Sequence, residues 1–139
     1  MREIALDTQA ATAVAIIDNG RVIGRAHNDS GRHHAESITP LVREALGDAG
    51  LPSTLADAGI DRVLVGTGPA PFTGLRSGLV SARVLARVAS VPAYGVSALD
   101  VIARQGLDLL APDTRVYAIA DARRRELYWG SYAAAGPDD

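Results

Sequence analysis

The first apolar positions of the chain fall on alternate residues. In Glu3–Thr8, Ile4 and Leu6 alternate with Ala5 and Asp7, the period-2 pattern of a strand with one buried face. Thr12–Asp18 predicts a second strand. Asn19-Gly20, the strongest short hairpin signal, turns it into a third over Arg21–His27. The period then lengthens. Ala35, Ile38, Leu41, Val42 and Ala45 keep one helical face, which predicts a helix starting near His34 with Pro40 inside it. Thr39-Pro40 also reads as an N-cap and first helical residue, but a start there would give up that face. The helix ends at Gly47–Gly50. Ser53–Ala58 reads as a helical turn closed by Gly59. A strand over Asp61–Thr67, a long helix over Thr73–Val88 and a short strand over Pro92–Val96 follow. Ser97 opens a third helix with a capping-box pattern, Ser97 then Asp100, ending near Gly106. Beyond the turn at Pro112-Asp113-Thr114, Arg115–Ala120 and Glu126–Ala133 read as strands around Asp121–Arg125.

Strands separated by helices pair in parallel through right-handed crossovers. The order therefore predicts an α/β fold, with a mixed five-stranded sheet and helices on both faces. The composition shifts after Pro112. Residues 1–111 are expected to form one unit, and 112–139 the start of a second, incomplete subdomain, since a lone hairpin is marginal in water.

Composition narrows the chemistry. The 139 residues carry a net charge of −2, which argues against autonomous nucleic-acid binding through many cation–phosphate contacts. Cysteine is absent, removing thiolate catalysis and Cys-containing zinc sites and fitting a cytoplasmic protein. All 14 basic residues are arginine, so lysine chemistry of the Schiff-base or P-loop kind is excluded. No apolar run approaches the ~20 residues that span a bilayer, and the acid within Met-Arg-Glu-Ile-Ala-Leu-Asp does not suit a signal peptide.

The stretch Gly66–Gly78, between a strand and a helix, is the focal candidate. Thr73 can cap the helix, while Gly68 and Gly74 permit a sharp turn or a close approach. Gly74, Gly78 and Ala82 share one bare helical face. The stretch reads either as a strand-to-helix connection with a close helix contact or as a phosphate-facing loop at a helix N-terminus. It is neither a P-loop nor a dinucleotide fingerprint. Asp7, at the end of its strand, could orient a metal–phosphate or bond its own backbone in a turn. His34-x-Glu36 resembles part of a zinc-deaminase signature, but the required cysteines are missing; His33 and His34 read as solvated residues at a helix start. Asp121–Glu126 is a charged hairpin tip, and its arginines could touch tRNA phosphates only as a supplement to a more basic partner.

Four segments together resemble one family. They are Ala5-Leu6-Asp7-Thr8, Arg32-x-His34-x-Glu36, Gly68-Pro69-x-x-Phe72-Thr73-Gly74-Leu75-Arg76-x-Gly78, and Asp121-Ala122-Arg123-x-x-Glu126-Leu127-Tyr128. The chain resembles the bacterial TsaB (YeaZ) family of tRNA threonylcarbamoyladenosine biosynthesis proteins, whose members are longer. The resemblance implies an RNase H-like (actin/hexokinase-like ATPase) fold. It also implies a non-catalytic subunit that pairs with a catalytic, metal-binding TsaD-type paralogue and works with a TsaE-type ATPase, meeting tRNA only through the complex and pairing with itself in isolation. The paralogue's His-x-x-x-His metal pair maps onto Ala98 and Ile102, so a metal site is not expected. No cofactor is expected either, beyond ATP with Mg at a shared interface, for which Asp7, Thr8, Gly68, Thr73 and Gly74 are the candidates. The partner surface is expected on the two long helices, at Ile38, Leu41, Val42 and Ala45 and at Gly74, Leu75, Gly78, Leu79 and Ala82; the small row could instead pack within the chain. Two competing functions are a stand-alone ATP-binding phosphotransferase or ATPase, motivated by Asp7, Thr8 and the Gly68–Gly78 loop, and a metallopeptidase, which three histidines without ligand spacing disfavour.

Overall fold

The computed structural model describes residues 1–29, 34–70, 72–111 and 113–134, with the side chains of 34–36 excepted. Its main sheet has the order β3-β2-β1-β4-β5. The first strand, β1 (Arg2–Asp7), pairs antiparallel with β2 (Thr12–Asp18), Ala5 opposite Ala15. Next comes β3 (Arg21–Asn28), antiparallel to β2 with a register shift at Ile16/Ile17. Asn19 and Gly20 both take positive φ, 48° and 78°, as a two-residue hairpin turn of this twist requires. On the other side of β1 lie β4 (Arg62–Gly66) and then β5 (Ala93–Val96), both parallel. This is the RNase H-like arrangement implied by the resemblance.

One face of the sheet is dry. Ile4, Leu6, Val14, Ile16, Val63 and Val65 point to it and pack in one cluster with Ile38, Leu41, Val42, Ala45 and Leu46 of α1 (His34–Asp48) and Ala82 and Ala86 of α2 (Phe72–Ala89). The longer form of α1 is the one adopted, with an exposed Pro40 inside it. Its C-terminal half lies directly on β3: a methyl at Gly24 would overlap the Ala45 carbonyl and stand 2.8 Å from the Ala49 Cβ. At residues 53–59 the chain forms turns rather than an α-helix, closed by Gly59 at φ 64°.

The opposite face of the sheet is bordered rather than covered among the described residues. Ala5, Ala13, Ala15, Leu64 and Val96 form the floor of a trough of about 740 Å3, with Ala98, Val101 and Ile102 of α3 (Ala98–Leu109) on its side. The buried residues of α3, Leu99 and Ala103, turn elsewhere. They join Ala118 in a second small core under the hairpin of β6 (Arg115–Arg123) and β7 (Glu126–Ala133). Packing therefore groups α3 with the hairpin.

Two boundaries differ from expectation for a physical reason. Gly106 does not end α3. A methyl there would sit 3.1 Å from Val116 Cγ1, so the glycine lets the helix lie close on β6, and the helix continues to Leu109. The hairpin loop is also tighter than expected: β6 runs to Arg123, and Arg124 and Arg125 turn the chain at φ 52° and 65°. At the start of α3, Ser97 Oγ accepts from Asp100 N at 3.4 Å, as the sequence pattern predicts. The Asp100 carboxylate is engaged from the hairpin, accepting a 2.7 Å hydrogen bond from Tyr132 Oη. That bond is the main cause holding the Tyr132 pKa above its ordinary value of 10.0, since it favours the protonated phenol.

Candidate functional site

The end of β1, the loop after β4 and the start of α2 meet at one corner of the dry core. Thr8 is 2% exposed, and its hydroxyl donates to the Gly74 carbonyl at 2.8 Å. One turn along α2, a methyl at Gly78 would overlap Thr8 Oγ1 and lie 3.2 Å from its Cγ2. The bare row on α2 is thus the socket into which Thr8 fits, and the close contact it permits is with β1. Asp7 bonds its own turn, Oδ1 accepting from Gln9 N at 2.9 Å. The other Asp7 oxygen leans over Gly66, where a side chain would overlap it. Gln9 Nε2 is buried beside it with no hydrogen-bond partner. Gly68 has φ 91°, precedes a cis Pro69, and accepts from Ala98 N at 2.8 Å. With Thr67 N donating to Val96 O at 2.9 Å, this straps the loop to the corner between β5 and α3.

One of the residues expected to meet a nucleotide is therefore otherwise engaged, and a second sits differently from expectation. Thr8 is corrected to a buried clasp: its proton is committed to Gly74 and its methyl to the core. Thr73 is corrected from cap to second residue of α2, because the helix begins one residue earlier, at Phe72. Gly74 is half-buried with its carbonyl taken by Thr8. Asp7 and Gly68 lie where expected, at the strand end and in the loop. The motif Arg32-x-His34-x-Glu36 lies outside the described residues and side chains.

The expected partner surface needs a larger correction. Ile38, Leu41, Val42, Ala45, Gly78 and Ala82 are all buried against the sheet, and Gly74, Leu75 and Leu79 are partly buried. The six buried residues belong to the interior, and Leu79 packs against the core. The apolar residues that α2 does leave in solvent are Val80, Val84 and Val88, 62%, 56% and 58% exposed, with Phe72 at its start. The Arg76 guanidinium stands 4.0 Å from the centroid of the Phe72 ring. The i, i+4, i+8 spacing of the valines was the available signal. A helix apolar on two sides does not say which side meets the sheet; the small row does, by seating Thr8.

Ala98 and Ile102, the positions that the resemblance sets against a paralogue's metal pair, both line the trough. Their hydrocarbon side chains offer no ligand atom. Among the described residues no three His, Cys, Asp or Glu side chains gather as a metal site would require. Asp7, Gln9, Arg25 and His27 are the polar residues of its wall. At the far end of the molecule, the exposed Arg123, Arg124 and Arg125 crown the hairpin, and Asp121 Oδ1 accepts from Arg123 N at 2.8 Å. Among the described residues, no helix is long and apolar enough to cross a membrane.

Comparison with known proteins places this geometry in a lineage. A family model described as TsaD, tRNA N6-adenosine threonylcarbamoyltransferase, matches residues 24–138. The tRNA threonylcarbamoyladenosine biosynthesis protein TsaB of Escherichia coli is 40% identical over 134 residues, 95% of this chain and 55% of that protein. A Mycobacterium tuberculosis protein carrying no functional name is 43% identical over 132 residues, 93% of this chain and 58% of that one. Among solved structures, YeaZ from Pseudomonas aeruginosa superposes with a TM-score of 0.79 at 34% identity, covering 95% of this chain and 60% of that structure. The chain thus spans little more than half the length of these relatives.

Proposed function

The chain belongs to the TsaB (YeaZ) family, and on that premise we propose that it serves the formation of N6-threonylcarbamoyladenosine in tRNA as a supporting subunit that does not itself carry out the transfer. The observation that carries this reading is the pair Ala98 and Ile102. Both side chains line the trough where the resemblance would set metal-binding histidines, and neither can hold a metal or polarise a carbonyl. The engagement of Thr8 weighs against a stand-alone phosphotransferase that would use its hydroxyl as a free donor at this loop.

In this reading the chain docks a catalytic TsaD-type paralogue, a TsaE-type ATPase completes the assembly, and tRNA is met only through the complex. The docking element is the outer face of α2, with Phe72, Val80, Val84 and Val88, in place of the buried rows of α1 and α2. An exposed apolar row of this kind in a folded domain marks an interaction surface. The paired form of the chain expected in isolation would have to use the same face. Affinity purification of this chain from its own cells tests the proposal: the threonylcarbamoyltransferase paralogue should co-purify, and should be lost with Val80→Asp/Val84→Asp. Recovery of the paralogue in equal yield with that variant would place the docking element elsewhere; no recovery with the parent would end the proposal.

A further inference from the structure

Two hairpins of this chain turn on two residues, and they meet the same backbone demand with different side chains. A turn of this twist holds both central residues at positive φ, a region that glycine enters freely, asparagine tolerates and long side chains enter only against a steric cost. Between β2 and β3 the residues are Asn19 and Gly20, at φ 48° and 78°. Between β6 and β7 they are Arg124 and Arg125, at 52° and 65°. Arg123 before them stands at 63°, where the register slips between Asp121 and Arg123. Among the described residues five non-glycines take positive φ, and three of them are these consecutive arginines. Their charge does nothing for the fold. All three are exposed, and among the described residues none of them enters an ion pair. Asp121 Oδ1 accepts from the Arg123 backbone N–H, and Glu126 stands opposite Arg123 in the ladder, which leaves Arg124 and Arg125 as the uncommitted pair.

Backbone strain that a fold does not need is kept where the strained residues act on something else. We propose that Arg124 and Arg125, supported by Arg123, contact the phosphate backbone of tRNA held by the modification complex. The proposal rests on the reading of this chain as a supporting subunit of tRNA modification and gives that subunit a direct part in holding the substrate. Three features select the ligand class. A two-residue turn is convex, so its side chains splay and do not enclose a small anion; adjacent arginines can instead follow an extended row of negative charge. Arginine grips a phosphate through paired N–H donors. Within residues 121–126 the one apolar side chain is the half-buried Ala122, so the tip has no ridge on which a protein partner would seat, whereas a phosphate contact needs none. With a net charge of −2 the chain does not hold tRNA by itself; the tip adds contacts to RNA already placed by the paralogue.

The experiment measures tRNA binding by this chain assembled with the TsaD-type paralogue, over a series of salt concentrations. Arg124→Asn/Arg125→Gly gives the second hairpin the turn already present in the first. It should raise the melting temperature of the chain by roughly 2–5 °C, leave assembly with the paralogue intact, and weaken tRNA binding about tenfold at low salt. The slope of log affinity against log salt should fall by about 1.5, the share of two phosphate contacts. Arg124→Lys/Arg125→Lys should keep most of the affinity and of the slope, since each lysine still brings one cation. Arginines kept for the fold would instead make Arg124→Asn/Arg125→Gly melt lower; that result, or tRNA binding unchanged in affinity and slope, overturns the proposal. So does a polyglutamate peptide that binds the parent assembly as tightly as tRNA and fails to bind the variant, which would give the tip to an acidic protein. If the chain and the paralogue do not assemble, the functional reading falls and this proposal with it; if they assemble and the tip is silent, the proposal alone falls.

Discussion

Gly78→Ala is the smallest change that asks which way the bare row of α2 faces. In an exposed helix this substitution would stabilise by about 1 kcal/mol, because alanine is the better helix former. Here the added methyl would occupy the space of Thr8 Oγ1 on a threonine that is 2% exposed. Overpacking of a dense core costs about 1–3 kcal/mol. Turning the threonine away also loses its hydrogen bond to Gly74, a further ~1 kcal/mol. The net expectation is a loss of about 1–3 kcal/mol, or roughly 3–10 °C in melting temperature for a chain of this size. Gly47→Ala on α1 is the control. Nothing lies within 4 Å of a methyl there, so that variant should hold its stability or gain up to about 1 kcal/mol. Urea denaturation of both variants, repeated in a Thr8→Ala background, completes the experiment. With the hydroxyl gone, most of the cost of Gly78→Ala should vanish, giving a coupling of about 1 kcal/mol or more between the two sites. A Gly78→Ala protein as stable as its parent would mean that the row does not seat Thr8, and the reasoning from burial would fail.

Two further outcomes are expected. Arg62 pairs with Glu3, whose side chain is 10% exposed against 36% for the arginine; Arg62→Met should cost about 1–3 kcal/mol in urea denaturation by stranding the carboxylate, and Glu3→Gln should recover part of it, whereas a cost below ~0.5 kcal/mol would mark an ordinary surface pair. The raised pKa of Tyr132 means that its bond to Asp100 supports the contact between α3 and the hairpin below the ordinary tyrosine pKa of 10.0 and is lost as pH rises through the folded-state value; the stability difference between parent and Tyr132→Phe should be flat through neutral pH and close above about pH 10, and a difference that grows with alkalinity would contradict the assignment.

The sheet was legible because its code is local. Alternation in Glu3–Thr8, the apolar run of Thr12–Asp18, the Asn19-Gly20 turn and the switch to helical spacing after residue 33 each name an element, and chain order then leaves few topologies. The face assignment of α2 was not legible, because Leu79, Ala82 and Leu85 and Val80, Val84 and Val88 are both acceptable core stripes until a neighbour is known. Thr8 shows the same limit at the candidate site. A threonine at a strand end beside a glycine-rich turn has the composition of a phosphate site; only the position of Gly74 and Gly78 over it reveals a clasp between β1 and α2. The half-open trough was invisible for a different reason: Ala5, Ala13 and Ala15 pattern as a second buried face, and the sequence does not say what lies over them.

The central claim is that this chain supports threonylcarbamoyl transfer without performing it. The direct measurement supplies threonylcarbamoyl-adenylate and unmodified tRNA to three samples: this chain alone, the TsaD-type paralogue alone, and the two together, with modified adenosine 37 quantified by mass spectrometry. The account predicts no product from this chain alone and more from the pair than from the paralogue alone. Product formed by this chain alone would contradict it.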